Sequence, residues 1–353
     1  MSIVKRTWLA IFAALLLLSI LGYTLLWPAL LTHLTQKETA RIAAITPQQL
    51  ADTMPTRLDI QRMMDDLRWL AHADRQGRAP GTAGGLAARA WLVQQYSEIG
   101  LQPAGSEGYL QPYRVPEHYQ FSRLLRGRNA QIPAVDDAAN VLGLVPGTVA
   151  GLAPIVITAH YDHLGMHGDN IFYGADDNAS GVATLLELAR YLKEQPLQHP
   201  VLFIALDSEE KGLQGAMALF KHQMLKASEL AFNINIDMLS RDTGQQLFAV
   251  GTYQHPWLAP LIAQVQQQST VKLMMAHDRP WYKAGRTQNW TLSSDHGVFH
   301  QQGVPFIYFG VADHPDYHTP RDTADKVDVS FYHQVSETVL SFLQSLDGQL
   351  LKR

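Results

Sequence analysis

Five short runs of almost uninterrupted apolar residues constrain the fold of this 353-residue chain more than any other feature. A strand with one wet face alternates apolar and polar residues, whereas a strand buried on both faces reads as a continuous apolar run. The five runs are therefore predicted to be strands of a sheet that is covered on both sides. They span residues 155–160, 201–207, 232–238, 247–250 and 304–310.

Helical patterns lie between and before these strands. Val182, Leu185 and Leu192 recur at helical spacing, and Pro196 stands just beyond the end of that pattern. An earlier stretch, residues 86–100, reads as a helix that Gly100 can close. Alternating strands and helices predict an α/β fold, with three α/β/α layers around a mixed, mostly parallel central sheet.

The N-terminus carries a long apolar segment. Lys5 and Arg6 precede a charge-free stretch over residues 7–31, which exceeds the ~20 residues that cross a bilayer. We expect residues 1–6 on the cytoplasmic side, a transmembrane signal anchor over 7–31 and a membrane-proximal stalk over 32–59. Residues 60–353 then form one folded domain on the periplasmic or extracytoplasmic side. A cleaved signal peptide is the alternative interpretation.

Composition removes several classes of function. The formal net charge is -4 and the sequence contains no cysteine. A chain without a basic field is a poor partner for nucleic acid, which we therefore exclude. Disulfides and thiolate chemistry are excluded as well, so any bound metal must be held by histidines and carboxylates.

Polar side chains follow several of the predicted strands or the turns beside them. Taken singly, each has an ordinary explanation as a surface hydrogen bond, a helix cap or a solvated face. Taken together, they would crowd one crevice with negative charge, which is costly unless cations occupy it. Imidazoles and carboxylates suit Zn²⁺, with Mn²⁺ or Co²⁺ as substitutes. The residues concerned are His160, Asp162, Asp176, Asp177, Glu209, Glu210, Asp237 and His318.

The motifs around these residues have a specific resemblance. In chain order they read "AHYDHLG", "GADDNASG", "DSEEKGLQG", "NIDM", "SDH" and "DYHTPRDT". This series resembles the zinc aminopeptidases of metallopeptidase family twenty-eight, a group with two co-catalytic zinc ions. The likeness extends over about residues 60 to 340 and includes the loop "GRAPGT".

The resemblance implies a role for each residue. Asp177 would bridge two zinc ions, one of which is also held by His160 and Asp237, the other by Glu210 and His318. Two Zn²⁺ per chain are therefore expected.

Asp162 would accept the second ring N–H of His160 and fix its tautomer. Glu209 would act as general base toward a water held between the metals.

Other polar residues near these motifs are not predicted to be metal ligands. His163 and His167 are not expected to be ligands, and Asp176 is expected to support its loop. Asp207 is expected to be structural. The cations Arg241, Lys283 and Arg286 are interpreted as surface residues.

The leading functional hypothesis is a membrane-anchored zinc aminopeptidase that removes N-terminal residues from peptides. Three alternatives stay open: a carboxypeptidase or dipeptidase of the same family, an acyltransferase resembling glutaminyl cyclases, and an ectodomain without activity. The sequence leaves the oligomeric state and the preferred side chain undetermined.

Overall fold

The computed structural model describes residues 3–47, 50–119 and 131–353. The first two residues of the predicted cytoplasmic segment and two residues of the predicted stalk, 48 and 49, lie outside these ranges. The helices are α1 (Ile3–Leu21), α2 (Trp27–Ile45), α3 (Ile60–Leu70), α4 (Ala83–Ile99), α5 (Gly181–Glu194), α6 (Gln214–Lys221), α7 (Leu258–Gln266), α8 (Trp281–Ala284), α9 (His296–Gln301) and α10 (Val329–Leu350).

Most of the strands belong to one nine-stranded sheet, and two short hairpins, β3–β4 and β7–β8, stand apart from it. The strands are β1 (Gln102–Pro103), β2 (Leu110–Val115), β3 (His118–Tyr119), β4 (Gln131–Ile132), β5 (Val135–Val145), β6 (Ile155–His160), β7 (Gly165–His167), β8 (Asn170–Phe172), β9 (Val201–Leu206), β10 (Phe232–Ile236), β11 (Gln246–Val250), β12 (Lys272–Met274) and β13 (Phe306–Gly310).

The sheet is parallel at its centre and antiparallel toward its edges. Its order is β1-β5-β9-β6-β10-β13-β11-β12, and β2 pairs with β5. The four central strands, β9, β6, β10 and β13, run parallel to one another. Parallel neighbours end at the same edge of a sheet, so the loops that follow these strands converge in space.

Side chains of the central strands alternate between two apolar cores. In β6, Ile155 and Ile157 belong to the larger core, whereas Val156 faces the smaller one. Residues of α3, α4, α5 and α10 fill the larger core, and residues of α6 and α9 pack in the smaller one. Because both faces are covered, the strands need no polar face. The predicted three-layer α/β architecture is confirmed.

Some strand boundaries differ from the predicted ones. The third predicted strand ends at Ile236 instead of residue 238, and the fifth starts at Phe306 instead of residue 304. The long strand β5 was not predicted, and it pairs antiparallel with β9. Its apolar residues are preceded by exposed Asp136 and Asp137, which interrupt the pattern.

The N-terminal region is helical from Ile3 to Ile45 except for a wider π-type turn at Gly22–Leu26. Within the described residues, this is one helical segment long and apolar enough to cross a membrane. Its second half contacts the folded domain. The ring of Trp27 lies 5.1 Å from that of Trp281, and the amide of Arg286 donates to the hydroxyl of Thr35 at 2.8 Å.

Part of the segment predicted as a stalk is thus packed against the domain. Glu38 is buried and paired with Arg41 at 2.6 Å, and Arg41 also donates to the carbonyl of Met275 at 3.1 Å. Farther along, the guanidinium of Arg57 pairs with Glu337 of α10 at 2.9 Å. The boundaries proposed at residues 31 and 59 remain predictions.

Candidate metal centre

The predicted site residues gather at the carboxyl edge of the parallel strands. His160 is the last residue of β6, and Asp237 directly follows β10. Glu209 and Glu210 lie in the turn after β9. Asp177 comes from the buried turn 175–180, which leads into α5. His318 lies in the loop after β13.

One group of possible ligands contains His160, Asp177 and Asp237. The Nε2 atom of His160 lies 3.3 Å from Oδ1 of Asp177 and 3.3 Å from Oδ1 of Asp237. All three side chains are buried, and together they could hold a metal ion. Two ligands of a tetrahedral Zn²⁺ are about 3.3 Å apart when each lies 2.0–2.1 Å from the ion.

A second group shares the same aspartate. The other oxygen of Asp177, Oδ2, lies 3.0 Å from Nε2 of His318. That ring nitrogen is also 3.2 Å from Oε1 of Glu210. One carboxylate therefore faces a separate histidine with each of its two oxygens, as a bridging ligand must.

The turn that carries Asp177 is fixed by hydrogen bonds to its backbone and to Asn178. The carboxylate of Asp322 accepts the amide of Asp177 at 3.1 Å. The side chain of Asn178 donates to the carbonyl of Ile236 and accepts the amide of Met238, which ties the turn to the end of β10. The peptide bond between Asp177 and Asn178 is cis. Asp177 and Asp237 are held at one place by these contacts.

Asp162 is fully buried beside the group, and its backbone carbonyl, not its carboxylate, is the atom within hydrogen-bond distance of His160. The Nδ1 atom of His160 is 3.1 Å from the backbone carbonyl of Asp162, whereas the carboxylate is 3.6 Å away, too far for a hydrogen bond. The carboxylate instead accepts the amides of Glu209 at 3.0 Å and Glu210 at 3.3 Å. Asp162 thus supports both His160 and the turn with the two glutamates.

His163 lies in the centre, although it is not among the ligands that the motifs predict. Its Nδ1 atom is 3.1 Å from Oε1 of Glu210 and 3.6 Å from Oδ2 of Asp177. The side chain is fully buried. One signal could have found it: a residue three positions after His160 can return to the same crevice when the chain turns at the end of a strand. His167, by contrast, is exposed in the hairpin β7–β8.

The charges of the centre shift the pKa values of its members. Burial acts to lower the pKa of His160, but the carboxylates of Asp237 and Glu209 outweigh it and raise that pKa well above its usual range. Burial raises the pKa of Glu209; His160 opposes the change, and the negative charges of Glu210 and Asp295 reinforce it. A crevice with this many carboxylates favours cations.

The loop that carries His318 is fastened by a polar cluster. Asp176 accepts the amide and hydroxyl of Ser240 and lies 3.1 Å from Nε2 of His314. Arg241 contacts Nδ1 of His314 at 2.9 Å and pairs with Asp316 at 3.2 Å. Asp176 has the supporting role predicted for it, and Arg241 is a structural cation instead of a solvated one.

Three residues in or beside the centre have left-handed backbone conformations, which cost non-glycine residues energy and cluster at functional sites. Ser208, with φ 61°, directly precedes Glu209, and Met238, with φ 63°, directly follows Asp237. His318 itself has φ 54°. These conformations turn the chain sharply where the candidate ligands are presented.

The donor set fits Zn²⁺. It offers imidazole nitrogens and carboxylate oxygens in a buried crevice, and its separations of 3.0 and 3.3 Å lie at or just below the ~3.3 Å edge of a zinc tetrahedron. His163 adds a buried imidazole whose ring nitrogens make no hydrogen bond within the described residues.

Comparison with known proteins agrees with this geometry. The model of Peptidase family M28 matches residues 140–343. Among curated proteins, aminopeptidase YwaD of Bacillus subtilis is 29% identical over 213 residues, which cover 57% of this chain and 43% of YwaD. The chain thus spans less than half the length of that relative.

Two solved structures share the fold at low sequence identity. The zinc aminopeptidase BSAP of Bacillus subtilis has a TM-score of 0.64 at 17% identity, with 82% of this chain and 95% of the other covered. The glutaminyl cyclase of Porphyromonas gingivalis has a TM-score of 0.63 at 20% identity, with 83% and 100% covered. The fold alone does not separate these two activities.

Proposed function

Since the chain belongs to peptidase family M28, whose model matches more than half of its length, we propose that it is a di-zinc aminopeptidase. The proposed substrates are peptides with a free N-terminus. The observation that carries the proposal is the position of Asp177, whose two carboxylate oxygens lie 3.3 Å from His160 and 3.0 Å from His318. Asp237 and Glu210 would complete the two metal sites.

Two bound zinc ions would activate a water molecule and stabilise the negative charge that develops on the carbonyl oxygen of the peptide. Glu209 then accepts the proton of the attacking water and returns it to the leaving amine, a role worth about 10²- to 10⁴-fold in rate. Asp162 positions it by accepting its backbone amide at 3.0 Å.

The hydrogen bonds and ion pairs of two arginines, Arg78 and Arg241, favour an aminopeptidase over a carboxypeptidase. A carboxypeptidase requires a cation that can bind the C-terminal carboxylate of its substrate. Arg78 is fully buried and donates to the carbonyls of Leu70, Tyr161, Tyr173 and Gly174. Arg241 is committed to Asp316 and His314. Neither guanidinium is available to a substrate, whereas the surplus of carboxylates attracts an α-amine.

We place the enzyme at a membrane, with residues 7–31 as a single-pass anchor and residues 60–353 on the extracytoplasmic side. The support is the apolar N-terminal helix, which is long enough to span a bilayer, and the basic residues Lys5 and Arg6 before it.

The test uses the full chain in detergent. We would measure zinc per chain by elemental analysis and follow hydrolysis of matched peptides with a free N-terminus, an acetylated N-terminus, an amidated C-terminus or an N-terminal glutamine. About two zinc ions, with cleavage that requires a free N-terminus and tolerates amidation, are expected.

Other results would contradict the proposal. Loss of cleavage on amidation would assign a carboxypeptidase. One zinc ion with conversion of N-terminal glutamine to pyroglutamate would assign an acyltransferase, and absence of both metal and turnover would assign a non-catalytic ectodomain.

A further inference from the structure

His163 is held inside the candidate centre by the backbone around it. A side chain at position 174 would place its Cβ 2.6 Å from Cγ and Cδ2 of the His163 ring, so only glycine leaves room for the imidazole. Gly174 also has φ +58°, which glycine adopts without strain. The ring is therefore seated in a space that the turn before Asp177 leaves for it.

The contact between His163 and Glu210 has the distance of a hydrogen bond but not its direction. Nδ1 lies 3.1 Å from Oε1 of Glu210, yet neither ring nitrogen of His163 makes a hydrogen bond within the described part of the chain. A buried polar group without a partner costs about 1–3 kcal/mol. Two atoms that are close to each other but make no hydrogen bond are expected where both atoms bind the same metal ion.

Four possible donor atoms lie close together. Nδ1 of His163 is 3.1 Å from Glu210 and 3.6 Å from Asp177, and Nε2 of His318 is 3.2 Å and 3.0 Å from the same two oxygens. These four separations scatter around the ~3.3 Å edge of a tetrahedral zinc site. The two imidazole rings lie 5.9 Å apart between centroids and are inclined by 62°.

We propose that His163 is a further ligand of the cation held by Asp177, Glu210 and His318. The inference rests on the proposed function, because it assigns one more residue to one of the two proposed metal sites. This site has two imidazoles and the site of His160 has one. It therefore favours Zn²⁺ or Co²⁺ over Mn²⁺ or Mg²⁺. His163 follows a buried strand, and its side chain is fully buried, whereas that of His318 is partly exposed.

The test compares metal binding by His163→Ala, His163→Phe and the control His167→Ala with that of the wild-type full chain. Phenylalanine fills the place of the imidazole without offering a nitrogen, and His167 is an exposed histidine four residues later. Metal-free protein is titrated with Zn²⁺ in competition with a colorimetric chelator. Loss of a residue that merely supports a ligand weakens metal binding about 10- to 100-fold. We expect one of two sites to weaken by at least about 100-fold in both His163 variants and neither site to weaken in His167→Ala.

A second measurement needs no variant. X-ray absorption of the zinc-loaded wild-type chain counts imidazoles per metal, and three imidazoles shared by two zinc ions are expected. Two imidazoles, or unchanged zinc affinity in both folded variants, would overturn the inference. Weakened affinity with two imidazoles would also overturn it and make His163 a positioning residue. Failure of the wild type to bind two zinc ions would instead reject the proposed function.

Discussion

Glu209 and Glu210 are neighbours in the chain but differ in their electrostatic surroundings. Burial and Asp177 act to raise the pKa of Glu210, but His163 and His318 outweigh them and lower it to about 2. The pKa of Glu209 is raised. A carboxylate that stays ionised suits a ligand, and one with a raised pKa suits a group that takes up and releases a proton. The division of roles inferred from the sequence is consistent with these shifts.

The variant Glu209→Gln tests that division. Glutamine keeps the shape and the backbone amide bonded to Asp162 but cannot accept a proton, so we expect kcat to fall about 10²- to 10⁴-fold. Zinc content should stay at the wild-type value, measured on the same samples. Glu229→Gln, at an exposed glutamate, is the control. Loss of zinc from Glu209→Gln would make Glu209 a ligand and contradict the assignment.

His296, which is not a predicted metal ligand, makes the stability of the fold depend on pH. The ring is fully buried, its Nε2 atom is 2.9 Å from the carbonyl of Trp290, and burial lowers its pKa to about 3. The carbonyl of Trp290 and the nearby His300 act in opposite directions on this pKa, but burial dominates. Below the ordinary pKa of about 6.5 the imidazole of His296 is protonated in the unfolded chain but stays neutral in the folded chain. Stability must therefore fall as the pH drops from about 6.5 toward 3.

We expect the contribution of His296 to be roughly 1.4 kcal/mol per pH unit in that window. Urea unfolding of metal-free protein at pH 7 and pH 5 measures it. His296→Gln should show a shallower loss of stability than the wild type, while His222→Gln, at an exposed histidine, should keep the wild-type loss. Equal losses in all three proteins would mean that His296 is not neutral in the folded state.

The sequence motifs located the candidate site residues but not all of their contacts. The seven residues predicted from the motifs lie at one edge of the sheet, and their roles remain predictions. The position of His163 inside the centre was not predicted, because it depends on Gly174, which is eleven residues later in the chain and leaves the space for its ring. The sequence named Asp162 as the partner of His160 but could not name the atom, because the carbonyl and the carboxylate of one residue compete for the same ring nitrogen and only the backbone path decides between them.

At the scale of elements, the loop 313–322 shows how the segment that carries His318 is tied to the rest of the domain. Arg241, which follows β10, links His314, Asp316 and Asp322 of that loop. The sequence could not predict this connection, because Arg241 precedes the loop by more than seventy residues and no spacing rule relates them. The sheet could be predicted, since the continuous apolar pattern of its central strands depends only on burial.

Arg241→Ala should loosen the loop of His318 without touching a ligand. We expect metal affinity of one of the two sites to fall about 10- to 100-fold, as for other residues that orient ligands. The matched control is Arg321→Ala. Arg321 pairs with the same Asp316 at 2.7 Å but is exposed, so its loss should change little. Competition with a chelator measures the zinc affinity of both variants. Equal losses of affinity would contradict the inference that Arg241 holds the loop of His318 in place.

At the scale of the whole molecule, the second half of the N-terminal helix packs against the domain. Ile42 of α2 packs against a cluster that contains Phe248 and Met274. The buried Glu38 and its partner Arg41 bind the same region. The sequence indicated a separate stalk because residues 32–59 are polar and mixed. That pattern cannot reveal a partner surface elsewhere in the chain.

Two truncated chains distinguish the contribution of the apolar helix α1 to stability from that of the packed helix α2. A chain that begins at Trp27 keeps α2 and loses the preceding apolar helix, so its melting temperature should match that of the full chain. A chain that begins at Thr53 exposes the cluster of Phe248 and Met274. We expect a melting temperature lower by at least about 3 °C, since 1 kcal/mol shifts it by about 2–4 °C in a domain of this size. Equal melting temperatures for the two truncated chains would show that α2 adds nothing to the domain.

The docking of α2 has a consequence for the position of the domain if the chain is anchored in a membrane as proposed. Trp27 contacts Trp281, and the neighbouring Tyr282 is exposed. If the helix spans a bilayer as proposed, these aromatic rings stand where headgroups meet water. A flexible tether would let the active site sweep through a large volume above the lipids. A docked helix would instead hold the active site at a constant height and tilt above the bilayer. Access would then depend on whether a peptide can reach that height in the right orientation, in addition to its side chains.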